Sequence, residues 1–314
     1  MRLQRLALAM AGMGLLAASV VSAPATAGTT GSKPWSDRTK QTNTTKAGTA
    51  CLVSTAFPGA AGTVSEADVI AGRPAEGLQY DAFKFVGTRA NASWYLASNA
   101  ALTQFYYYGL LLQGGNLYRH TTYIYEDGRA PLATFKKVGS GWTSFKTIAT
   151  SNLNTYNARH SFLYGLNSNG SLYRYSIVGA GIKSYGSFPG FKGFKAMTVI
   201  SENAAYDTLL MTTTAGALWT VRIPTAASTK PILKRIRTGG WQNFESLVVE
   251  NCGNRGGLLI VGVDNNTQTG TLYAMSKANG AATALTGYGP IHDVVFNGVD
   301  TVREASYYDQ LVGE

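Results

Sequence analysis

Charge is scarce in this chain of 314 residues, where Asp, Glu, Lys and Arg make up only 14%. Acidic residues are outnumbered 17 to 27, so the formal net charge is +10. There are only two cysteines, Cys51 and Cys252, and three histidines, His120, His160 and His292. No CxxC spacing and no Cys/His pairing exists, which excludes the usual zinc sites. The histidines stand apart from one another and from both cysteines, so they read as ordinary surface or strand residues. No Gly-x-Ser-x-Gly elbow is present, which excludes an α/β-hydrolase nucleophile. Neither a Gly-x-Gly-x-x-Gly turn opening a helix nor a P-loop occurs, so nothing marks a nucleotide site. No cofactor or metal is expected. Helical periodicity with caps is missing throughout, which argues against an α-rich fold. Beyond the N-terminus no run is apolar enough to span a bilayer.

The N-terminus reads as a secretory signal peptide over residues 1–27. Arg2 and Arg5 give a short positive region, Leu6 to Val21 is apolar or small, and Ala25-Thr26-Ala27 forms a small-x-small cleavage site. The expected location is therefore extracellular. Residues 28–50 are rich in Thr, Ser, Gly and Lys. With few large apolar side chains they cannot offset their ordering entropy, and they read as a flexible leader. Residues 51–314 remain for a single β domain. The basic excess is scattered, apart from Lys230, Lys234, Arg235 and Arg237. It suits solubility, with acidic polymers as a further class of partner and no specific nucleic acid.

What is present in quantity is repetition. A turn followed by Gly-x-Leu-aromatic occurs at Gly115–Tyr118, Gly170–Tyr173, Gly216–Trp219 and Gly270–Tyr273, with a weaker copy at Gly62-Thr63-Val64. A second mark, an aromatic, two residues, then Phe, occurs at Tyr80…Phe83, Trp142…Phe145, Phe191…Phe194 and Trp241…Phe244, with Ile291…Val294 as a degenerate fifth. The two marks keep phase. Between them lie short β-branched and aromatic runs bounded by Gly, Asn and Ser, the pattern of strands. The 36 glycines suit many tight turns.

Four short strands per unit of about 50 residues is the size of a propeller blade. Phasing one unit gives strands at 144–150, 161–167, 171–178 and 182–187, with Phe191 opening the next. The first unit, from 51 to about 80, then lacks its inner strand, and residues 291–297 form an orphan inner strand at the other end. The expected fold is all-β, a five-bladed β-propeller of four-stranded blades. The C-terminal strand completes the first blade and closes the ring, which protects sheet edges.

Gly139-Ser140-Gly141-Trp142-Thr143-Ser144-Phe145-Lys146 and Gly239-Gly240-Trp241-Gln242-Asn243-Phe244 resemble the Gly-Gly-Trp-x-x-Phe-Lys signature of the tachylectin-2-like propellers. Asn169-Gly170-Ser171-Leu172-Tyr173 is similar to the family's Asn-Gly-x-Leu-Tyr turn. The resemblance covers about residues 51–300. It implies a five-bladed propeller that binds N-acetylated amino sugars. Inserts at 89–103 and 151–160 depart from the family's near-identical repeats.

The phasing also bears on the cysteines. Cys252 follows the last inner strand and Cys51 begins the second strand of unit one, so both lie on one face of neighbouring units if the ring closes. A Cys51–Cys252 disulfide is expected at that seam. The candidate ligand-binding residues are Trp142 and Trp241, whose indoles can stack on a sugar or wedge between blades, with Ser144, Gln242 and Asn243 as polar contacts. Glycans or cell-wall polysaccharide are the expected partners. Two alternatives stay open: a secreted interaction or structural propeller without a sugar site, and a glycoside hydrolase using Glu245, Glu250 or Asp293.

Overall fold

The computed structural model describes residues 51–125, 127–226, 229–252, 257–306 and 309–314. The expected signal peptide (1–27) and leader (28–50) lie outside the described residues. Every regular element that is described is a β-strand. Among the described residues no helix is long and apolar enough to cross a membrane.

The strands fall into successive groups. The first holds β1 (Leu52–Pro58), β2 (Thr63–Ile70) and β3 (Ala75–Lys84). The second opens with the short β4 (Ala90–Asn91) and β5 (Trp94–Ser98), then β6 (Phe105–Gln113), β7 (Asn116–Ile124) and β8 (Leu132–Ser140). The third is β9 (Phe145–Asn154), β10 (Arg159–Asn167), β11 (Ser171–Val178) and β12 (Gly181–Pro189). The fourth is β13 (Phe194–Glu202), β14 (Tyr206–Thr213), β15 (Leu218–Pro224) and β16 (Ile232–Arg237). The fifth is β17 (Ser246–Cys252), β18 (Gly257–Asp264), β19 (Thr269–Met275) and β20 (Leu285–His292), and β21 (Val302–Ser306) follows alone. Within each group the pairing is antiparallel, as in β9–β10 and β13–β14. The strands phased from the sequence at 161–167 and 171–178 fall within β10 and on β11.

β21 supplies the inner strand that the first group lacks. It pairs antiparallel with β1 at Thr55↔Arg303 and Ala56↔Val302. This corrects the expectation that 291–297 closes the first unit. Ile291 and His292 instead end β20, the outer strand of the fifth group. The inner strands touch in a closed cycle, β21 to β5, β4 to β9, β9 to β13, β13 to β17, and β17 back to β21.

The groups are also less separate than the repeat predicts. β9–β12 and β13–β16 stand as independent four-stranded sheets, but the remaining thirteen strands form one continuous sheet. Two parallel joints fuse it, β20 to β3 at Ile291↔Ala75 and His292↔Glu76, and β21 to β5 at residues 304–306 and 94–96. The segments expected as inserts are sheet as well: 89–103 carries β4 and β5, and 151–160 extends the β9–β10 hairpin.

The apolar core lies between groups. Leu110, Leu112 and Leu117 of the second meet Trp142, Phe145 and Leu163 of the third. Val53, Phe57 and Val69 of the first meet Val248, Val261 and Phe296 at the seam with the fifth. Trp94 and Tyr107 face Ala56, Val64 and Val302 across the next junction. Middle strands are therefore buried on both faces, as the unbroken burial of Leu258–Val263 shows. The outer strands are exposed and carry Lys136 and Lys137 on β8, Lys183 on β12, and Lys234 and Arg235 on β16. Charge on an open edge opposes pairing with another chain, which accounts for much of the basic excess.

Cys51 and Cys252 form the expected disulfide, with Cα atoms 5.4 Å apart and a sequence separation of 201. It ties the start of β1 to the end of β17, across the seam. A loop of that length implies about 5 kcal/mol of stabilisation in the chain-entropy model. The double variant Cys51→Ala/Cys252→Ala should lose a large part of that in urea unfolding. An unchanged midpoint would mean the seam holds without its covalent link.

Candidate functional site

The two sequence marks meet in space. The Trp142 amide donates to the Gly115 carbonyl (3.0 Å), Phe191 to Gly170 (2.8 Å) and Trp241 to Gly216 (3.0 Å). Each aromatic thus hooks onto the Gly-x-Leu turn of the preceding group. Gly141, Gly190 and Gly240, just before these aromatics, have φ of 85°, 97° and 93°, a region that favours glycine. Three residues on, the chain turns back: the amides of Phe145 and Phe194 donate to the carbonyls of Trp142 and Phe191 at 3.0 and 3.1 Å.

The same hook corrects two assignments. Phe85, not Tyr80, donates to Gly62 (2.9 Å), and Phe296, not Ile291, donates to Gln268 (3.0 Å) at the closing junction. Tyr80 and Phe83 lie on β3, and Ile291 on β20.

Trp142 and Trp241 are each 3% exposed. Trp142 packs against Phe145 and Tyr175, with ring centroids 4.4 and 5.0 Å apart, and Trp241 against Tyr273 at 4.7 Å. Neither indole presents a ring face to solvent. The exposed residues of these turns are Thr143 and Ser144 at one junction and Gln242 and Asn243 at the other. A side chain at Gly115 or Gly216 would run into Thr143 or Gln242, so the glycine makes room for the polar residue above it. Cations brace the turns from below. Arg89 donates to the carbonyls of Trp142 and Phe145, and Lys195 to the Gln242 carbonyl and to Glu245 Oε1 (2.9 Å).

A second feature lies on the axis. Residues from all five inner strands and their approaches line a narrow cleft: Asn91 and Ser93, Thr147, Thr198, Glu245 and Ser246, Asp300 and Thr301. The Asp300 carboxylate accepts from Ser246 Oγ (2.7 Å) and from the amides of Asn91 (2.7 Å) and Thr301 (2.9 Å). Burial pushes it up to about 6, against those three donors. Arg303 also lines the cleft and makes a bidentate pair with Glu250 (2.7 and 3.0 Å) and a further contact with Asp309 (2.6 Å).

The three acids weighed for hydrolysis are not brought together. Glu245 lines the cleft, Glu250 is held by Arg303, and Asp293 is exposed beyond the outer strand β20. His160, read as an isolated residue, bonds Asp207 through Nε2 at 2.8 Å. Asp207 also accepts from Ser151 Oγ (2.5 Å) and Tyr164 OH (2.7 Å). The serine donates to the carboxylate and not to the imidazole, so this is no nucleophile–base pair. His120 is fully buried against Trp94 (4.5 Å), and burial lowers it to about 3, so it stays neutral.

No family model matches the chain, and no curated protein matches it. Among solved structures, the SapL1 lectin in complex with α-methyl fucoside aligns over 76% of this chain and 80% of its own, with 11% identity and a TM-score of 0.38. The Aleuria aurantia lectin, a six-bladed β-propeller that recognises fucose, aligns over 76% and 79% with 11% identity and a TM-score of 0.41. The NanB sialidase of Streptococcus pneumoniae aligns over 80% and 51% with 11% identity and a TM-score of 0.37. Likenesses this loose carry no argument about ligand or chemistry.

Glu202 gives a test of the buried polar network. Burial and the nearby Asp207 push its carboxyl up to about 7, against the Asn152 and Leu311 amides and Arg303. A folded-state value above the unfolded one means this group's contribution to stability falls as pH rises from about 4.5 to 7. In Glu202→Gln that fall is removed. The melting temperature of the variant relative to the parent should therefore rise between pH 5 and pH 8. A difference independent of pH would show that Glu202 ionises normally.

Proposed function

We propose that the chain is a secreted, non-catalytic, five-bladed β-propeller that binds glycans at the turns between blades. The observation that carries this reading is the repeated junction turn. At Trp142 and Trp241 the turn is fixed by the hook onto a glycine carbonyl and by the buried indole, and the two consecutive side chains that follow are exposed. A polar group already held in place loses little entropy on binding, which favours recognition of a hydroxyl- and amide-rich ligand. Ser144, Gln242 and Asn243 make the polar contacts. Trp142 and Trp241 form the buried floor that sets their position. The resemblance of both turns to the tachylectin-2 signature favours N-acetylated amino sugars as the ligand class.

Two or more such turns around a ring would act together on a multivalent glycan and gain avidity. The β21–β1 pairing and the closed cycle of inner strands support the five-bladed count. The disulfide suits an oxidising compartment and supports export.

A glycan array probed with the purified protein tests the reading. Saturable binding to glycans bearing N-acetylated amino sugars is expected. Gln242→Ala/Asn243→Ala and Ser144→Ala should weaken it at least tenfold without lowering the melting temperature, because these side chains are exposed. Trp241→Ala should instead cost about 3–5 kcal/mol of stability, as for other buried aromatics. Absence of binding to any glycan by the parent protein would remove the lectin reading and leave a propeller serving another partner.

A further inference from the structure

Charge is spread unevenly along this chain. Residues 128–244, from the approach to β8 through the Trp241 turn, hold 14 of the 27 basic residues but only two of the 17 acidic ones, a net of +12. The whole chain nets +10, so everything outside that span nets −2. The two acids within it, Glu202 and Asp207, are buried at 7% and 0% exposure. Among the described residues of the span, no acid reaches the surface. Glu314, which the C-terminal segment brings beside β15, is spent in its pair with Arg222.

In the fold this span becomes one sector of the rim. It supplies the third and fourth groups together with β8, the outer strand of the second. The outer strands β8, β12 and β16 belong to consecutive groups, and each ends its sheet without a further partner. The groups are tied side by side. Arg119 of β7 donates to the Gly179 carbonyl at the β11–β12 turn (3.0 Å), and Arg174 of β11 to the carbonyls of Pro224 and Ala226 at the end of β15 (2.6 and 3.2 Å). Exposed cations stand on or beside all three edges: Lys136 and Lys137, Lys183, and Lys230, Lys234 and Arg235. The ion pairs of the described residues involve none of the six. On the other side of the ring β20 and β3 close against each other, and β3 carries Glu76 and Asp81.

Edge protection explains why the open strands are charged. It does not explain a single sign. A surface that only has to stay soluble and unpaired mixes signs and so avoids self-repulsion, while an uncompensated field of one sign attracts polyions of the other. The cations are divided among three edges, so a small anion meets one edge and a long chain meets several. Five of the six are lysines, whose flexible stems follow irregularly spaced anions better than the fixed fork of arginine. The rings on these edges are already engaged: Phe135 packs edge-on against Phe85 (5.0 Å), and Tyr185 lies under Arg174 (4.7 Å). Neither is a free platform for stacking a nucleic-acid base. The disulfide suits an oxidising compartment, where acidic polysaccharides are the abundant polyanions.

We propose that the rim sector formed by β8, β12 and β16 binds a linear anionic polysaccharide, one that carries sulfate, phosphate or carboxylate groups at intervals along its chain. The contact is electrostatic. It uses other residues than the junction turns and does not rest on the glycan reading proposed for them.

The test titrates the purified protein calorimetrically with dextran sulfate and with uncharged dextran of equal length. Binding to dextran sulfate alone is expected, and its affinity should fall about tenfold between ~50 and ~150 mM salt as counterions are released. Lys183→Glu/Lys234→Glu and, as a second pair, Lys136→Glu/Lys137→Glu should each weaken binding at least about tenfold. Their melting temperatures should match the parent's, because these side chains are exposed. Arg73→Glu/Lys84→Glu makes the same change in net charge on the β3 side and should leave the affinity within about twofold. Equal weakening by that control would overturn the proposal, because binding would then follow total charge. So would a failure to bind dextran sulfate at low salt. Tighter binding of a single-stranded DNA oligonucleotide of matched charge would overturn it in favour of nucleic acid. Ser144→Ala and Gln242→Ala/Asn243→Ala should leave dextran sulfate binding intact, so the rim and the turns stand or fail separately.

Discussion

A sheet that is apolar on both faces must be covered on both. In this chain the middle strands, such as Phe162–Asn167 on β10 and Leu258–Val263 on β18, are buried without a break. A linear stack of such sheets always leaves two faces open to water, while a closed ring leaves none. The seam between the fifth and first groups is where that closure is made. Val53, Phe57 and Val69 would otherwise face solvent, as would Val248, Val261 and Phe296 opposite them. The disulfide, the β21–β1 pairing and the Arg303–Glu250 pair all act near this one interface. Three unlike interactions converge there because the seam joins residues distant in sequence, where loop-closure entropy is largest.

Much of this was legible in the sequence because the physics of a repeat is local. Gly-x-Leu-aromatic marks a turn and the strand after it, and both the positive φ and the hook reside within a few residues. β11 and the disulfide followed from phase alone. The phase failed where the local signal was replaced. No glycine precedes Phe85 or Phe296, so neither junction carried the mark, and Tyr80 and Ile291 stood in for them. β21 was missed for a related reason. VREAS is short and carries two charges, and its burial comes from the ring around it.

The candidate turns and the axial cleft differ in the same way. Ser144, Gln242 and Asn243 are adjacent to a Trp in the sequence, so pattern alone picks them out, while the burial of that Trp is a property of two packed sheets. Asn91, Thr198 and Asp300 are single polar residues on or beside β4, β13 and β21, and no spacing relates them. Only ring closure brings them to one axis. His160 and Asp207 are likewise 47 residues apart and meet because β10 and β14 occupy facing positions in neighbouring sheets.

The low charge content then acquires a geometry. Acids are few, yet Glu66, Asp68, Glu202, Asp207 and Glu304 are buried, and Glu250 and Asp300 face inward. Basic residues instead occupy the open edges β8, β12 and β16. The chain's net charge of +10 therefore understates how basic the exposed edges are, because several of the acids are buried. The two placements answer separate constraints. Edges need charge to stay unpaired, and lysine supplies it at little cost when exposed. The inner strands crowd polar groups from every sheet into a space too narrow for bulk water, where a carboxylate persists only with donors or a cation beside it. Arg303 and the donors around Asp207 meet that need toward one end of the axis. Around Asp300 the direct donors are neutral, the Ser246 hydroxyl and the Asn91 and Thr301 amides, and they hold the carboxylate in the same cleft that Arg303 lines.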